Sequence, residues 1–207
     1  MRKFRAVLIV LALLLCQSAF AADESYIIGR VRNGMYTNQS LGVRAYFGEN
    51  WKILSRREIA RLNGVVMSAS PTLAELTNGK VPSFCAVTAD NTAIVTIEIT
   101  NLGVMGSAVV SESVNEELDA LIRQISGNLS QAYSEMGYTD VKIDRANVTF
   151  TGRKYPGIIV TAKAKGVPLY QKQAVCIKGE YCYQVTATST RLDITDKLLG
   201  MFRRTGS

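Results

Sequence analysis

Hydrophobic and polar residues alternate most regularly over residues 93–100. The alternation gives two faces, one with Ala93, Val95, Ile97 and Ile99 and the other with Ile94, Thr96, Glu98 and Thr100. A period of two is typical of a β-strand. The segment SFCAVTA just before it is also extended in pattern, and Asp90-Asn91 provides a turn between the two. The sequence therefore predicts a central β-hairpin here.

Other segments have the three- and four-residue spacing of amphipathic helices. The longest covers residues 113–136 and is followed by Gly137, which is placed to end it. The segment SRREIARLNG opens with Ser55 and Glu58 at the spacing of a capping box, and Asn63-Gly64 is predicted to end that helix. The closing segment ITDKLLGMFRR is predicted to be a further amphipathic helix.

The part of the chain after residue 137 reads as strands in series. YTDVKID, ANVTFTG, GIIVTAKAKG, LYQKQAVCI and EYCYQVTATS follow one another with short links, one of them a turn predicted at residues 153–157. Short links between strands favour antiparallel pairing. With helices before and after, the predicted class is α+β, as one domain over residues 22–207.

The first 21 residues have the pattern of a secretory signal peptide. A cationic start, MRKFR, precedes the apolar run AVLIVLALLL, and Ala19 and Ala21 are the small residues expected before a cleavage site. The apolar run is too short for a membrane anchor, and no later stretch is apolar for the length that a bilayer crossing needs. The sequence therefore predicts a secreted, extracytoplasmic protein without a transmembrane segment after cleavage.

Charge and composition exclude several classes of partner and of catalytic site. The 207 residues include 24 basic and 17 acidic ones, and the loss of three basic residues with the signal leaves 21 against 17, a formal charge of +4. No arginine-rich run or nucleic-acid-binding module is present, so no nucleic acid is expected as a partner.

The chain has no histidine, which excludes Ser-His-Asp and Cys-His catalysis and imidazole-ligated metal sites. Neither phosphate-loop nor dinucleotide fingerprints occur. We expect no cofactor and no metal; paired carboxylates stay open, because they have no fixed spacing.

Three cysteines lie outside the signal. In AVCIKGEYCYQV, a three-residue loop would bring the apolar faces of the two strands together, and it would place Cys176 directly opposite Cys182. Opposed strand residues lie at distances compatible with a disulfide, which secretion permits. A disulfide, a redox pair or two small buried side chains are the alternatives. Cys85 is predicted to be a buried thiol.

Lysines mark a candidate binding surface. Lys163 and Lys165 are predicted to alternate outward on one strand while the neighbouring aliphatic residues point inward, and Lys172 on the next strand extends the surface. The alternative is a solvated face without a partner.

The order of these segments resembles PsbP-like domains of bacterial secreted proteins and lipoproteins. MYTNQSLGVRAYFGENWKIL followed by SRREIARLNG is similar to the opening of those domains, and LYQKQ, EYCYQVTATS and the closing segment through Phe202 are similar to later parts. The resemblance covers most of residues 34–203. It implies an antiparallel sheet with helices packed on its faces, an α/β/α sandwich, and it brings no catalytic residues. Trp51 would then close the core at a sheet edge.

Two functions follow from the sequence. The first, which we favour, is a secreted, non-enzymatic binding or accessory module of the bacterial cell envelope, with an unknown protein or envelope ligand as its partner. The alternative is an envelope enzyme, either a carboxylate-based hydrolase or a thiol-redox protein that uses Cys176 and Cys182.

Overall fold

The computed structural model describes residues 24–72, 82–102 and 127–206. The strands in these ranges form two antiparallel sheets. In chain order they are β1 (Arg30–Arg32), β2 (Met35–Asn38), β3 (Val43–Tyr46), β4 (Trp51–Ile53), β5 (Phe84–Thr88), β6 (Ala93–Asn101), β7 (Tyr138–Phe150), β8 (Arg153–Ala164), β9 (Val167–Lys178), β10 (Tyr181–Thr190) and β11 (Phe202–Arg204). The helical segments are α1 (Glu24–Ile28), α2 (Arg56–Ala69), α3 (described over 127–135) and α4 (Thr195–Leu199).

The large sheet has seven strands in the order β4-β5-β6-β10-β9-β8-β7. Strands β7 to β10 form an up-and-down series joined by two-residue turns, which confirms the antiparallel arrangement predicted for this part of the chain. The hairpin of β5 and β6 then pairs with β10, so that residues far apart in sequence meet in the middle of the sheet.

Helices cover one face of the large sheet. Ile59 and Val66 of α2 and Leu129 and Tyr133 of α3 pack with the apolar residues that the sheet presents on this side. The same face also carries buried polar side chains from the central strands. Two of them bond to each other: the side-chain amide of Gln173 donates a 2.7 Å hydrogen bond to the side-chain carbonyl oxygen of Gln184.

The other face of the large sheet is covered by the second sheet. This small sheet has the order β1-β2-β3-β11, and it packs its aromatic residues onto the large sheet with help from α1 and α4. The ring centres of Tyr36 and Phe84 lie 4.1 Å apart, and the ring of Phe202 lies 5.4 Å from that of Phe150. The core between the sheets is therefore largely aromatic.

The predicted α/β/α sandwich is wrong. Strands make up 53% of the structure and helices 22%, so the fold is β-rich, with two antiparallel sheets and few helices. The difference arises because short segments at both ends of the described chain pair with each other as strands. They form a second sheet where the resemblance implied a layer of helices.

Several local predictions are confirmed. Strand β6 alternates as predicted, with Val95 and Ile97 in the core between the sheets and Ile94 in the core under the helices. Ser55 and Glu58 form the capping box of α2, in which each side chain bonds to the other residue's backbone N–H. Gly137 ends α3 with a positive φ of 83°, a conformation that glycine adopts without strain.

Other local predictions are wrong. Helix α2 continues past Gly64 to Ala69, because Val66 in its later turns is fully buried against the core and this burial outweighs the glycine's helix cost. The turn predicted at residues 153–157 is part of β8, and the chain turns instead at Thr151 and Gly152, which both have positive φ. The closing segment is a short helix, α4, followed by strand β11.

Trp51 begins β4, the edge strand of the large sheet. It is half-buried, packs against the core between the sheets, and its ring meets that of Phe47 edge to face with 5.3 Å between centres. Core closure at a sheet edge is thus confirmed for this residue. The predicted signal peptide, residues 1–21, and the first part of the long predicted helix lie outside the described residues.

Candidate functional site

The small sheet is unusually rich in arginine. Its four strands contain 14 residues in all, three, four, four and three, and five of these are arginine. The same strands contain no lysine, aspartate or glutamate. A sheet whose charged residues are all arginines carries positive charge that no acidic residue of its own strands offsets.

Strand pairing places three of the arginines in one row. Arg30 pairs with Thr37, Thr37 pairs with Arg44, and Arg44 pairs with Arg203, so that the four residues cross the sheet in register. Paired residues project from the same face, and neighbouring strands lie roughly 4.8 Å apart, so the row spans about 15 Å. All three arginines are exposed.

The buried residues next to the row show which way the arginine side chains point. Three members of the row have a buried neighbour on the same strand. Tyr36 lies next to Thr37, Ala45 next to Arg44 and Phe202 next to Arg203, and each of these neighbours is at most 1% exposed in the core between the sheets. Because side chains along a strand point alternately to opposite faces, the arginines must point away from the core. The backbone of Arg44 and of Arg203 therefore rests on a closely packed aromatic layer.

Hydrogen bonds fix the β2–β3 hairpin of this sheet to helix α1. The buried Asn38 side chain donates to the carbonyl oxygen of Ile27 at 2.6 Å and accepts from the backbone N–H of Leu41 at 2.7 Å. The Tyr36 hydroxyl donates to the carbonyl oxygen of Ile28 at 2.8 Å. These bonds connect α1, β2 and the β2–β3 turn, so that the hairpin is held in one position relative to the core.

A second row contains Arg32, Met35 and Tyr46, which pair in the same way. Tyr46 is 60% exposed. Its ring lies over two glycines, since a Cβ atom added at Gly34 or Gly48 would lie 3.3 or 3.6 Å from ring atoms. We call the surface formed by Arg30, Arg32, Thr37, Arg44, Tyr46 and Arg203 the arginine face.

This arrangement has a cost for folding and a use in binding. Like charges directly opposite on paired strands, as at Arg44 and Arg203, destabilise a sheet. The guanidinium group of Arg203 donates one hydrogen bond, of 2.6 Å, to the carbonyl oxygen of Gly200. Guanidinium groups bind carboxylates and phosphates through two parallel hydrogen bonds, so a row of them suits a partner with several anionic groups.

The lysines predicted as a binding surface are not brought together as one patch. Lys163 makes a 3.0 Å ion pair with Asp140, and Lys172 is largely buried and makes a 2.7 Å ion pair with Asp196 of α4. Lys165 lies in the turn between β8 and β9, with a positive φ of 51°. Lys163 and Lys172 do share a face of the sheet, but they lie at opposite ends of the paired segment. A binding role for these three lysines stays a prediction.

The predicted opposition of Cys176 and Cys182 is wrong. The loop has two residues, so Cys176 pairs with Tyr183 and Cys182 pairs with Ile177. A shift of one residue turns a side chain to the other face of the sheet, so the two thiols point to opposite sides and cannot form a disulfide in this register. Cys85, Cys176 and Cys182 are buried, and the described structure has no disulfide between any two of them.

Burial makes these thiols poor nucleophiles. Burial raises the pKa of the Cys85 thiol to about 12 and raises the pKa of the Cys176 thiol further, with a smaller effect from Cys182. The thiolate is the reactive form of cysteine, so a raised pKa lowers reactivity at neutral pH.

Clefts between the described residues offer little for acid–base catalysis. One of about 270 Å³ lies between α2 and the β4 edge, and its only carboxylate, Glu58, makes a 2.6 Å ion pair with Lys52. That bond and those to Ser55 lower the pKa of Glu58 to about 2. Two others, lined in part by Asp140 and by Asp196, also have one carboxylate each. None of these three clefts has the two facing carboxylates that a hydrolase of the predicted kind needs.

Two further features are absent from the described part of the chain. No group of three or more cysteine, aspartate and glutamate side chains is placed to hold a metal ion there. None of the helices described is both long enough and apolar enough to cross a membrane.

Two comparisons bear on the family of this chain. No protein-family model matches the chain, and none of the curated proteins matches it. The resemblance to PsbP-like domains therefore stays a prediction.

The arginine face was missed in the sequence because its members are separated along the chain. Arg30 and Arg32, Arg44, and Arg203 lie in three segments, and no segment is an arginine-rich run. The pairing of β11 with β3 brings the last of them in, and the segment of β11 was predicted as helix. The available signal was the alternation of arginine with apolar residues in RVR at residues 30–32 and in GVRAYF.

Proposed function

We propose that the protein is a non-enzymatic binding module of the extracytoplasmic space that holds an anionic partner on the arginine face. One observation carries this proposal: three arginines lie in register across a sheet face whose strands contain no acidic residue. The extracytoplasmic location rests on the predicted signal peptide.

The rigidity of the support favours binding. Arg44 and Arg203 each lie next to a residue buried in the aromatic core, and binding groups on packed strands lose less freedom on binding than groups on loops. The repulsion between paired arginines adds a second reason, because an anionic partner would relieve it.

The alternative of an envelope enzyme has less support. The thiol-redox form needs Cys176 and Cys182 within bonding distance, and they lie on opposite faces of the sheet. The hydrolase form needs paired carboxylates in a cleft, and the three clefts described above have single ones.

Retention on a sulfated polysaccharide matrix tests the proposal. We expect the protein to be retained at low salt and released as salt rises, because added salt screens the attraction between the arginines and the sulfate groups. The variant Arg44→Glu, Arg203→Glu should elute with little retention. The variant Lys163→Glu, Lys165→Glu removes the same charge from the surface predicted from sequence and should elute like the native protein.

Two results would contradict the proposal. If both double variants lose retention equally, the matrix responds to net charge and not to the arginine face. If only the lysine variant loses retention, the partner binds at the lysines.

A further inference from the structure

We infer that the anionic partner of the arginine face is the surface of a phospholipid bilayer with acidic headgroups. This inference rests on the proposed function and names the class of partner. Three properties of the face support it: its shape, its type of charge and its exposed tyrosine.

The face is a flat array and not a groove. It consists of the outer sides of four short strands, each of three or four residues and so roughly 10–13 Å long. Of the three clefts described above, none is lined by Arg30, Arg32 or Arg44, and only Arg203 borders one. Small ligands are usually enclosed in a concave site. A flat array of separate cations instead matches a planar surface of separate anionic headgroups.

The type of charge points to phosphate. All basic residues in the strands of the small sheet are arginines. A guanidinium group fits the two oxygens of a phosphodiester with two parallel hydrogen bonds, whereas a lysine ammonium acts as a point charge. Arg44 and Arg203 pair directly on neighbouring strands, so their guanidinium groups can bind two neighbouring headgroups or one headgroup together.

The second row adds groups that suit the boundary between headgroups and acyl chains. Tyr46 has an apolar ring and a polar hydroxyl, and tyrosine is enriched where membrane proteins meet this boundary. It is 60% exposed, and Met35, which lies between it and Arg32 in the row, is half-buried. An exposed aromatic ring next to several arginines gains from partial burial among lipid headgroups.

The expected binding is peripheral and reversible. Each arginine near an acidic membrane surface strengthens binding by about fivefold, so the four arginines of the face together give several hundredfold. Such binding depends on headgroup charge and weakens with salt, since screening shortens the range of the attraction.

Sedimentation with vesicles tests the inference. One set of vesicles contains phosphatidylcholine alone, and the other contains phosphatidylglycerol mixed with phosphatidylcholine. We expect the purified protein to sediment with the acidic vesicles only. The variant Arg44→Gln, Arg203→Gln should bind about 25-fold more weakly, and Tyr46→Ser a few-fold more weakly. The matched control Lys163→Gln, Lys165→Gln should bind like the native protein.

A conservative variant separates recognition from charge, and it also guards against loss of fold. Arg44→Lys, Arg203→Lys keeps the charge and the extended side chains, so it should fold as the native protein does. We expect it to bind acidic vesicles more weakly than the native protein, because the paired hydrogen bonds to phosphate are lost. Equal binding by native protein and lysine variant would contradict phosphate recognition by these guanidinium groups.

The remaining outcomes distinguish this inference from the proposed function. Retention on the sulfated matrix through the arginine face, with no binding to acidic vesicles, would overturn the bilayer as partner and leave the proposed function standing. Failure to bind either would overturn both. Vesicle binding that is lost in the lysine-site control and kept in the Arg44→Gln, Arg203→Gln variant would also overturn the inference.

Discussion

Gly157 occupies a position in the large sheet where two backbones come very close. A Cβ atom built on this residue would lie 1.9 Å from the carbonyl oxygen of Gln173 on β9 and 3.1 Å from a methyl group of Val148 on β7. The first distance is far inside van der Waals contact and involves backbone, which cannot rotate away. The close approach between the strands therefore requires glycine at this position. In the sequence, Pro156-Gly157 favours a turn, which is why a turn was predicted here.

Replacement of Gly157 by alanine should destabilise the protein strongly. We expect a loss of at least about 3 kcal/mol in the free energy of unfolding, at the upper end of overpacking costs, because the strands must separate to admit the methyl group. Urea denaturation followed by Trp51 fluorescence measures it. Gly64→Ala is the matched control, because that glycine lies inside α2 with no atom within 4 Å of the new methyl group. It should raise stability by about 0.5–1 kcal/mol.

A loss smaller than about 1 kcal/mol for Gly157→Ala would show that β8 and β9 can move apart at this point. A loss in the control of similar size would show that helix α2 does not tolerate side chains at Gly64, against its open surroundings.

At the scale of elements, the sequence predicted those features that depend on residues close together in the chain. The alternation in β6 and the capping box at Ser55 were both predictable, because each depends on residues close in sequence. The register of β10 was not. Both faces are buried in most of β10 and over residues 173–176 of β9, so the apolar pattern is compatible with either register. Only the turn geometry, with positive φ at Gly179, selects the two-residue loop.

The strand β11 shows how tertiary packing decides between helix and strand. Helix α4 ends at Leu199, and Gly200 follows it. Phe202 is then fully buried between the sheets, with rings of Tyr36, Phe47 and Phe150 around it. A helix continued through Met201 would place this ring differently, so the prediction of one helix to the end failed at the residue that anchors the small sheet.

Replacement of Phe202 by alanine should loosen that sheet. We expect a loss of about 3–5 kcal/mol in the free energy of unfolding, since a large ring leaves a cavity in the aromatic core. Amide hydrogen exchange should become faster in β3 and β11, which pair at this position. Leu192→Ala is a suitable control, because Leu192 is 73% exposed and its truncation should change stability by less than about 0.5 kcal/mol. Unchanged exchange in β3 would show that β11 stays paired without its anchor.

At the scale of the whole molecule, the arginine face depends on contacts between the two ends of the described chain. Arg30 and Arg44 come from the first hairpins, and Arg203 comes from the last strand. The antiparallel pairing of β3 with β11 makes Arg203 a neighbour of Arg44, and the pairing of β1, β2 and β3 adds Arg30 to the row. Composition and local pattern carry no information on such pairing, which is why the sequence pointed to lysines adjacent in β8 and β9 and not to these arginines.

The whole molecule also has a buried set of groups that can lose a proton. They lie in both cores: Cys85, Cys176, Tyr36, Tyr133, Tyr138 and Tyr183. Burial raises the pKa of each of these side chains, to about 12 for Cys85 and for Tyr183. In the unfolded chain a thiol has a pKa of about 8.5 and a phenol of about 10. The folded state therefore keeps protons at alkaline pH that the unfolded state releases.

The free energy of unfolding should accordingly be constant from neutral pH to about pH 8.5 and fall as pH rises toward 12. Below the unfolded pKa both states hold the proton, so these groups do not change stability there; above it, release of the proton favours the unfolded chain. Each fully buried group can lower stability by up to about 1.4 kcal/mol per pH unit within its range. Urea denaturation at a series of pH values, followed by Trp51 fluorescence, measures the slope. The variant Cys85→Ala should reduce the change in the free energy of unfolding per pH unit, between about pH 9 and 12, by the contribution of one proton. It should also lower stability at neutral pH, because its side chain is smaller.

Two results would contradict this prediction: a free energy of unfolding that stays constant to pH 11, or a pH dependence that Cys85→Ala leaves unchanged. Either would show that these groups are open to water in the folded protein.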